Sequence, residues 1–173
     1  QDGGIDLLQV FDTLKQVDFR QLCNLYSDEL LKAGKERYYH LSDNRKLLEA
    51  EQDFYHFLAE FFKDADAFYG VWSVNGVYRA ALRIEPYQDG VLLSGLQTAP
   101  DSRRKGYAAS LMKETLTYLS DKGVNTVYSH IHKKNTASVN AHMKCGFKKI
   151  LDLAVFIDGS VDHRSGTYQI VLK

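Results

Sequence analysis

The hydrophobic residues of this chain recur with two different periods, and the period indicates which stretches are helices and which are strands. Where apolar residues return every three or four positions, one face of a helix is buried. Where they alternate with polar residues, one face of a strand is buried. The helical period predicts helices at 18–34, 43–62, 107–122 and 135–145. Alternating or continuous apolar runs predict strands at 7–11, 67–74, 77–84, 91–98, 124–131, 147–157 and 167–172.

Residues with special backbone preferences mark the ends of these elements. Asn75-Gly76 lies between two apolar arms and predicts a two-residue hairpin turn, because both central positions need positive φ. Asn135 is a good N-cap for the last helix, and Gly146 is placed to end it. A helix separates the fourth and fifth predicted strands, so these two should run parallel, whereas the strands before them form an antiparallel meander. We therefore predict a single α/β domain over residues 1–173, with a mixed sheet of about seven strands and four flanking helices.

Composition and charge limit the classes of function. Lys plus Arg and Asp plus Glu number 22 each among 173 residues, so bulk charge favours neither a nucleic-acid nor an acidic-membrane partner. No apolar run approaches the roughly 18 residues of a membrane-spanning helix. Cys23 and Cys145 are too few for a disulfide framework and are predicted to be free thiols in a reducing compartment, the cytoplasm. Residues 1–4 contain neither an initiating Met nor a signal-peptide pattern, and we interpret them as a processed or engineered end.

The loop between the fourth predicted strand and the third predicted helix has the features of an anion-binding site. Arg103, Arg104 and Lys105 are basic, and Gly106 allows a sharp turn and the close approach of a ligand. The first N–H groups of the helix that follows have no internal acceptor, and the aligned peptide dipoles add partial positive charge there. The expected ligand is a phosphate or pyrophosphate. Neither a P-loop nor a dinucleotide-binding glycine motif is present.

This loop resembles the acyl-CoA loop of the GCN5-related N-acetyltransferases (GNAT). The family pattern [RQ]-x-x-G-x-[GA] follows a strand that ends V-x-P, and here Arg103-Arg104-Lys105-Gly106-Tyr107-Ala108 follows Thr98-Ala99-Pro100. A second family segment corresponds to Asn135-x-x-Ser138 followed by Lys144-Cys145-Gly146-Phe147. The predicted order of elements is also that of the family, so the resemblance covers most of the chain.

The resemblance implies an N-acetyltransferase that uses acetyl-CoA as cosubstrate and a primary amine as acceptor, by direct attack in a ternary complex. The pyrophosphate would lie on the backbone of the basic loop, and the pantetheine arm on the open edge of the fourth strand. A backbone N–H of that edge would polarise the thioester carbonyl. The residues that the resemblance places at the cofactor are Leu96, Gln97, Thr98, Arg103, Arg104, Lys105, Gly106, Tyr107, Ala108 and Asn135.

Two histidines occupy positions at which the family has other proton-transfer residues. His142 replaces the usual tyrosine acid, and His130 replaces a glutamate base found in some members, so both are candidate catalytic residues. Three alternatives stay open. Both side chains line a cleft without transferring protons, or the protein is a non-catalytic acyl-CoA-binding or sensor module that has lost its acid. In the third, His130 and His132 form half of the zinc site of a hydrolase. No second ligand cluster accompanies that pair, so no metal is assigned.

The acceptor is predicted to be a small-molecule or peptide amine, with neither nucleic acid nor membrane as partner, and a homodimer is possible. Residues 35–44 are predicted to join the first two helices and to shape the acceptor pocket, because connecting loops often recognise ligands. Tyr38, Tyr39 and His40 lie there and are able to flank an amine.

Overall fold

The computed structural model of the protein describes residues 4–172, which form one central sheet with helices on both faces. Of residues 1–4, interpreted above as a processed end, residues 1–3 lie outside the described part. In chain order the elements are β1 (Asp6–Phe11), α1 (Phe19–Leu25), α2 (Ser27–Arg37), α3 (Asp43–Phe61), β2 (Phe68–Val74), β3 (Val77–Tyr87), β4 (Gly90–Thr98), α4 (Tyr107–Asp121), β5 (Thr126–His132), α5 (Thr136–Lys144), β6 (Lys148–Leu151), β7 (Ala154–Val155), β8 (Val161–Asp162) and β9 (Ser165–Val171).

The sheet confirms the predicted mixed arrangement of seven strands, in the order β1-β2-β3-β4-β5-β9-β6. Within it β4 and β5 run parallel, and the other neighbours are antiparallel. The predicted last-but-one strand, 147–157, is wrong as a continuous element. It breaks at Asp152, whose carboxylate pairs with Lys133 and Lys149, and the chain continues as β7 in a separate hairpin with β8.

Successive side chains of each strand point to opposite faces of the sheet, so the hydrophobic core has two parts, one on each face. Val71 of β2 packs among residues of α1, α2 and α3, whereas its neighbour Trp72 packs on the opposite side with α4. The apolar face of α4 is buried as its spacing predicts, through Leu111, Met112, Thr115, Leu116 and Leu119. The helices on both faces therefore hold the central strands β3, β4 and β5 in place.

The first predicted helix, 18–34, is two helices, so the described residues contain five α-helices rather than four. The break is at Tyr26, whose ψ of 18° departs from the helical value. Its phenol donates a hydrogen bond to the carbonyl oxygen of Gly95 in β4. The kink thus lets a core tyrosine reach the middle of the sheet, a long-range contact that local spacing does not record.

Gly34 does not end a helix as predicted, because α2 continues to Arg37. Gly34 is buried where α2 crosses α3, and a Cβ at this position would lie 2.7 Å from the carbonyl oxygen of Lys46. The glycine therefore permits close helix packing. The connection between α2 and α3 is consequently shorter than predicted and spans 38–42.

Replacing Gly34 by alanine tests this reading of the helix contact. Helix propensity alone predicts that Gly34→Ala raises the free energy of unfolding by up to about 1 kcal/mol. The clash with backbone atoms of α3 predicts a loss of about 1–3 kcal/mol instead, because backbone cannot rotate away. Urea denaturation of both proteins distinguishes the two, and a stabilised variant would show that the helices do not meet at this residue.

Candidate active site

The two parallel strands β4 and β5 separate halfway along their length. Their pairing is confined to Val91–Leu93 of β4 and Val127–Ser129 of β5. The register between β3 and β4 shifts at this level, and Gly95 in the resulting bulge has a φ of +63°. Beyond the bulge β4 remains paired with β3 alone, and a cavity of about 610 Å³ opens between the separated strands and helices α2, α3 and α5.

The open edge of β4 presents backbone groups to this cavity. The N–H of Ala99 donates to the carbonyl of Arg79 in β3 over 2.8 Å. The backbone N–H and C=O groups of successive residues in a strand are directed alternately toward the strand on one side and the strand on the other. Those of Ala99 face β3, so those of Thr98 and Leu96 face the opening. Leu96 and Gln97 line the cavity, and Thr98 lies just outside its lining. This edge provides donors and acceptors for an extended ligand.

The loop before α4 has the geometry expected of an anion site. Gly106 is the N-cap of α4 with a φ of +78°, and no side chain caps the first N–H groups of the helix. A Cβ built on Gly106 would have no atom within 4 Å, so the space above this turn is open. Arg104 also adopts positive φ, at 64°, which is costly for a residue with a side chain and is found more often at functional sites.

The three basic residues of this loop differ in their surroundings. Arg103 forms an ion pair with Asp28 over 2.8 Å, which ties the loop to the start of α2. Arg104 and Lys105 are exposed and form no ion pair with the described part of the chain. Two of the three predicted cations are therefore free to neutralise a ligand, along with the start of α4 at Tyr107 and Ala108.

Asn135 caps α5, as its position predicts, and also lines the cavity. Its side-chain oxygen accepts a hydrogen bond from the N–H of Ser138 over 3.1 Å. The cap fixes the start of α5 beside the end of β5. Because α5 bears His142 about two turns later, this cap also positions the imidazole.

His142 lies beneath the cavity with both ring nitrogens hydrogen-bonded, and only 1% of its surface is exposed. Nδ1 lies 2.7 Å from the carbonyl oxygen of Ser138, and Nε2 lies 3.0 Å from Oγ of Ser129. A carbonyl accepts only, so Nδ1 bears the hydrogen and Nε2 of the neutral ring accepts the Ser129 hydroxyl. Burial lowers the pKa of His142, and the bond to Ser138 offsets this only in part. The imidazole is consequently neutral at pH 7.

His130 follows Ser129 in β5 and therefore points to the opposite face of the strand. Its ring packs edge-on against Tyr87 and Phe156, at centroid distances of 5.3 and 5.6 Å. Burial lowers the pKa of His130, and its buried Nε2 has no hydrogen-bond partner between residues 4 and 172. Both predicted histidines line the cavity, but the structure does not bring them together.

Ser129 was missed by sequence reasoning. It is the last residue of β5 that pairs with β4, it is 2% exposed, and it lines the cavity. It shares a strand face with Val127 and Ile131, which are both core residues. A polar residue on a core face requires a buried hydrogen-bond partner, and that was the available signal.

Helices α2 and α3 border the cavity, whereas the loop between them does not. Tyr38, Tyr39 and His40 do not line the cavity, so the prediction for these three side chains is wrong. Tyr38 instead donates a 2.8 Å hydrogen bond to Asp53, which also pairs with Arg37. From the predicted segment, Arg37 alone borders the cavity, because the last turn of α2 brings it there.

Two further findings concern metals and membranes. Among residues 4–172, no group of three or more His, Cys, Asp or Glu side chains is placed to hold a metal ion. Nδ1 of His132, half of the predicted zinc pair, accepts a hydrogen bond from the N–H of Lys134. None of the helices in the described range is both long and apolar enough to cross a membrane.

Known proteins resemble this chain both in sequence and in fold. Residues 20–147 match the sequence profile of the acetyltransferase (GNAT) family. A search of curated protein sequences gives no match. The fold is similar to that of the PaiA N-acetyltransferase from Thermoplasma acidophilum in complex with coenzyme A (TM-score 0.65, 13% identity, 95% of this chain and 99% of that chain covered).

Two other solved structures share the fold. One is a ribosomal-protein-alanine N-acetyltransferase from Brucella melitensis (TM-score 0.65, 18% identity, 96% of this chain and 99% of that chain). The other is a Bacillus subtilis acetyltransferase in complex with CoA (TM-score 0.56, 12% identity, 68% of this chain and 84% of that chain). The profile covers well over half of the sequence and includes both predicted motifs, which confirms the resemblance: the chain belongs to the acetyltransferase (GNAT) family.

Proposed function

We propose that this protein is an N-acetyltransferase that transfers an acetyl group from acetyl-CoA to a primary amine within a ternary complex. The observation that supports this most strongly is the separation of β4 from β5, which combines a free strand edge and a cavity in one site. Family membership supports acyl transfer from CoA. The seven-stranded sheet, whose strands come from both ends of the described chain, supports the proposal that 1–173 is one domain.

The residues present fit acetyl-CoA as cosubstrate. The uncapped start of α4 and the open space above Gly106 suit a pyrophosphate, with Arg104 and Lys105 as counter-charges. The backbone of Leu96 and Thr98 suits the amide groups of a pantetheine arm. Bound acetyl-CoA supplies the acetyl group as an activated thioester. The backbone N–H of Leu96 is the donor that we assign to polarising its carbonyl.

The hydrogen bonds of His142 suggest how protons are moved. An alkyl ammonium has a pKa of about 10, so its nitrogen must lose one proton before it attacks and a second as the amide forms. The departing thiolate, whose thiol has a pKa of about 8.5, must gain one. We assign the first loss and the gain to a relay of Ser129 and His142. The Ser129 hydroxyl takes the first proton from the nitrogen while its own proton passes to Nε2 of His142. The Ser138 carbonyl stabilises the imidazolium that results, the reverse transfer gives this proton to the departing thiolate, and the second proton of the nitrogen goes to solvent.

This assignment keeps His142 as the final acid but makes Ser129 the group that faces the substrates. His130 is the second candidate base, because it lines the same cavity and its Nε2 has no hydrogen-bond partner among the described residues. The non-catalytic sensor module is the rival function. Release of free thiol from acetyl-CoA, measured over a panel of primary amines, decides between them. CoA binding without turnover of any amine would favour the sensor.

The two cysteines bear on where the protein works. Both cysteines are free, and burial raises the pKa of the Cys23 thiol to about 12, so this sulfur is unreactive. Free thiols support the proposal that the protein works in a reducing compartment, the cytoplasm. The homodimer stays a prediction.

Replacing Gly106 by valine should abolish CoA binding. The side chain would fill the open space above the turn and block approach to the N–H groups of α4. Positive φ also strains any such variant, so a matched control is needed. Gly123 at the other end of α4 has a φ of +84° and equally open surroundings. Gly123→Val should lose similar stability but bind CoA as wild type does in titration calorimetry. If both variants bind CoA with the same affinity, the loop at Gly106 is not the CoA-binding site.

Replacing Ser129 by alanine should lower kcat by about 10²–10⁴-fold, the usual contribution of general acid–base catalysis. The KM for acetyl-CoA should change little, because the relay acts in the transition state. Ser73→Ala is the matched control, since Ser73 is also a buried strand serine but does not line the cavity. A loss below tenfold in Ser129→Ala, with the control unaffected, would mean that water transfers the protons.

The dependence of kcat on pH provides an independent test of the relay. Neutral His142 is required to accept the first proton, and burial lowers its pKa. The wild-type kcat should therefore be full above about pH 6.5 and fall as pH drops further, through the lowered pKa. In Ser129→Ala the fall in kcat that is due to protonation of His142 should disappear. The kcat of this variant should instead rise with pH as the acceptor amine loses its proton. His130→Phe should retain the fall, because its ring is not part of the relay. A wild-type kcat that falls as pH rises from 6 to 8 would contradict the proposal.

A further inference from the structure

Arg83 is a cation in the wall of the cavity that forms no ion pair with the described residues, and the nearest carboxylate that acts on it electrostatically is Glu85, two residues along β3. It is half-buried in β3 and lines the side of the cavity that α2 and α3 form. No carboxylate of residues 4–172 lies within ion-pair distance of it, whereas Arg79 in the same strand pairs with Asp101. An arginine is charged at every relevant pH, and removing its charge from water without a partner is costly. The position therefore suits a ligand that brings a negative charge.

Neutral groups hold this guanidinium in place. Its Nη1 donates to the phenol oxygen of Tyr69 over 3.0 Å, Tyr69 donates to Tyr26, and Tyr26 donates to the carbonyl of Gly95. The ring of Phe57 lies 4.8 Å from the guanidinium carbon and covers it by a cation–π contact. Within the described chain no other donor of Arg83 has an acceptor, and none of these free donors is fully buried. A rigid fork with free donors is the arrangement that recognises a carboxylate.

We propose that Arg83 binds the carboxylate of the acceptor, and that the acceptor is a free amino acid with an apolar side chain. This rests on the proposed acetyltransferase function and specifies its substrate. The apolar part of the molecule would lie against Leu30, Ala33, Phe54 and Phe57, which line the same side of the cavity. Three other charged residues line this side of the cavity, Glu29, Arg37 and Asp53. Arg37 and Asp53 neutralise each other as an ion pair, and the exposed Glu29 forms no ion pair with the described residues and is able to face the ammonium group of the same acceptor.

The position of Arg83 relative to β4 limits how far the amine is from the carboxylate. Atoms of its guanidinium lie within 2.7–2.9 Å of a Cβ built on Gly95. Gly95 immediately precedes Leu96, whose N–H we assign to the thioester. A carboxylate on Arg83 is thus only a few bonds from the reacting carbon, which fits an α- or β-amino acid. The N-terminus of a peptide has a neutral amide in place of this carboxylate, so it should be a poor acceptor.

The wild-type protein alone provides the first test. Apolar amino acids such as leucine and phenylalanine are compared with their amides and with the corresponding amines that lack the carboxylate. We expect kcat/KM for the amino acid to exceed that for its amide by at least about tenfold, the contribution of a hydrogen bond to a charged group. The basicity of the two amines works against this preference. The amino group of the amide is less basic, so a larger fraction of it is neutral and able to attack at a given pH. Equal or better use of the amide would overturn the proposal. Absence of turnover with every amine would instead contradict the proposed function.

Substitution of Arg83 provides the second test. Arg83→Met keeps the apolar contacts with Phe57 and Tyr69 but removes the charge. The preference for amino acid over amide should fall to about one, whereas Arg83→Lys should retain part of it, since the charge remains without the fork. Arg45→Met is the control, because Arg45 is an exposed residue of α3 that pairs with Glu49 away from the cavity. If Arg83→Met slows all acceptors equally and the preference persists, Arg83 acts on the cosubstrate or the fold, and the proposal fails.

Binding of the reaction product tests recognition of the carboxylate independently of catalysis. Titration calorimetry in the presence of CoA measures the affinity for the N-acetylated amino acid and for its amide. Wild type should bind the carboxylate form more tightly by at least about tenfold, and Arg83→Met should bind both alike. Ser129→Ala should keep the wild-type preference, since the relay does not contact the carboxylate. No preference in wild-type binding would overturn the proposal even if turnover were normal.

Discussion

The feature on which the site depends is the separation of β4 from β5 beyond Leu93 and Ser129. A bulge containing Gly95 bends β4 at this level, and Arg83 of the neighbouring strand occupies the space in which a side chain of residue 95 would lie. The bulge and the arginine therefore require each other. A side chain at position 95 would displace the cation, and a straight β4 would close the cavity against β5.

The separation leaves backbone groups of β4 without sheet partners, and such groups cost about 1–3 kcal/mol each when they are buried and unpaired. The fold limits this cost to one side of one strand. β5 is satisfied along its other edge by β9, and β4 remains paired with β3 on both sides of the bulge. Stability is thus supplied by the complete part of the sheet and by the helices on its two faces. The open edge is left to water or to a ligand, so binding a cosubstrate there also completes the sheet.

Local signals in the sequence sufficed for most of the elements and for the turn at Gly106 before α4. The period of α4, the Asn75-Gly76 turn and the cap at Asn135 depend on residues close in the chain, and all were predicted. The features that the sequence analysis missed depend on contacts between residues far apart in the chain. The break at Tyr26 serves a bond to Gly95, and Gly34 is needed where α2 meets α3. Likewise nothing near His142 in the sequence indicates that its partner is a serine thirteen residues earlier.

The charges around the cavity suggest why the reaction centre itself is neutral. Positive charge lies at two separate places, the loop with Arg104 and Lys105 at the start of α4 and Arg83 beside Gly95. His142 lines the same cavity as Arg83, and burial lowers its pKa and keeps it uncharged. A nearby cation disfavours an ammonium group and lowers its pKa. In the proposed complex, an arginine that binds the carboxylate of an amino acid would therefore also help its amine to lose the proton that we assign to Ser129. Recognition of the acceptor and activation of its nucleophile would then be two consequences of the same charge.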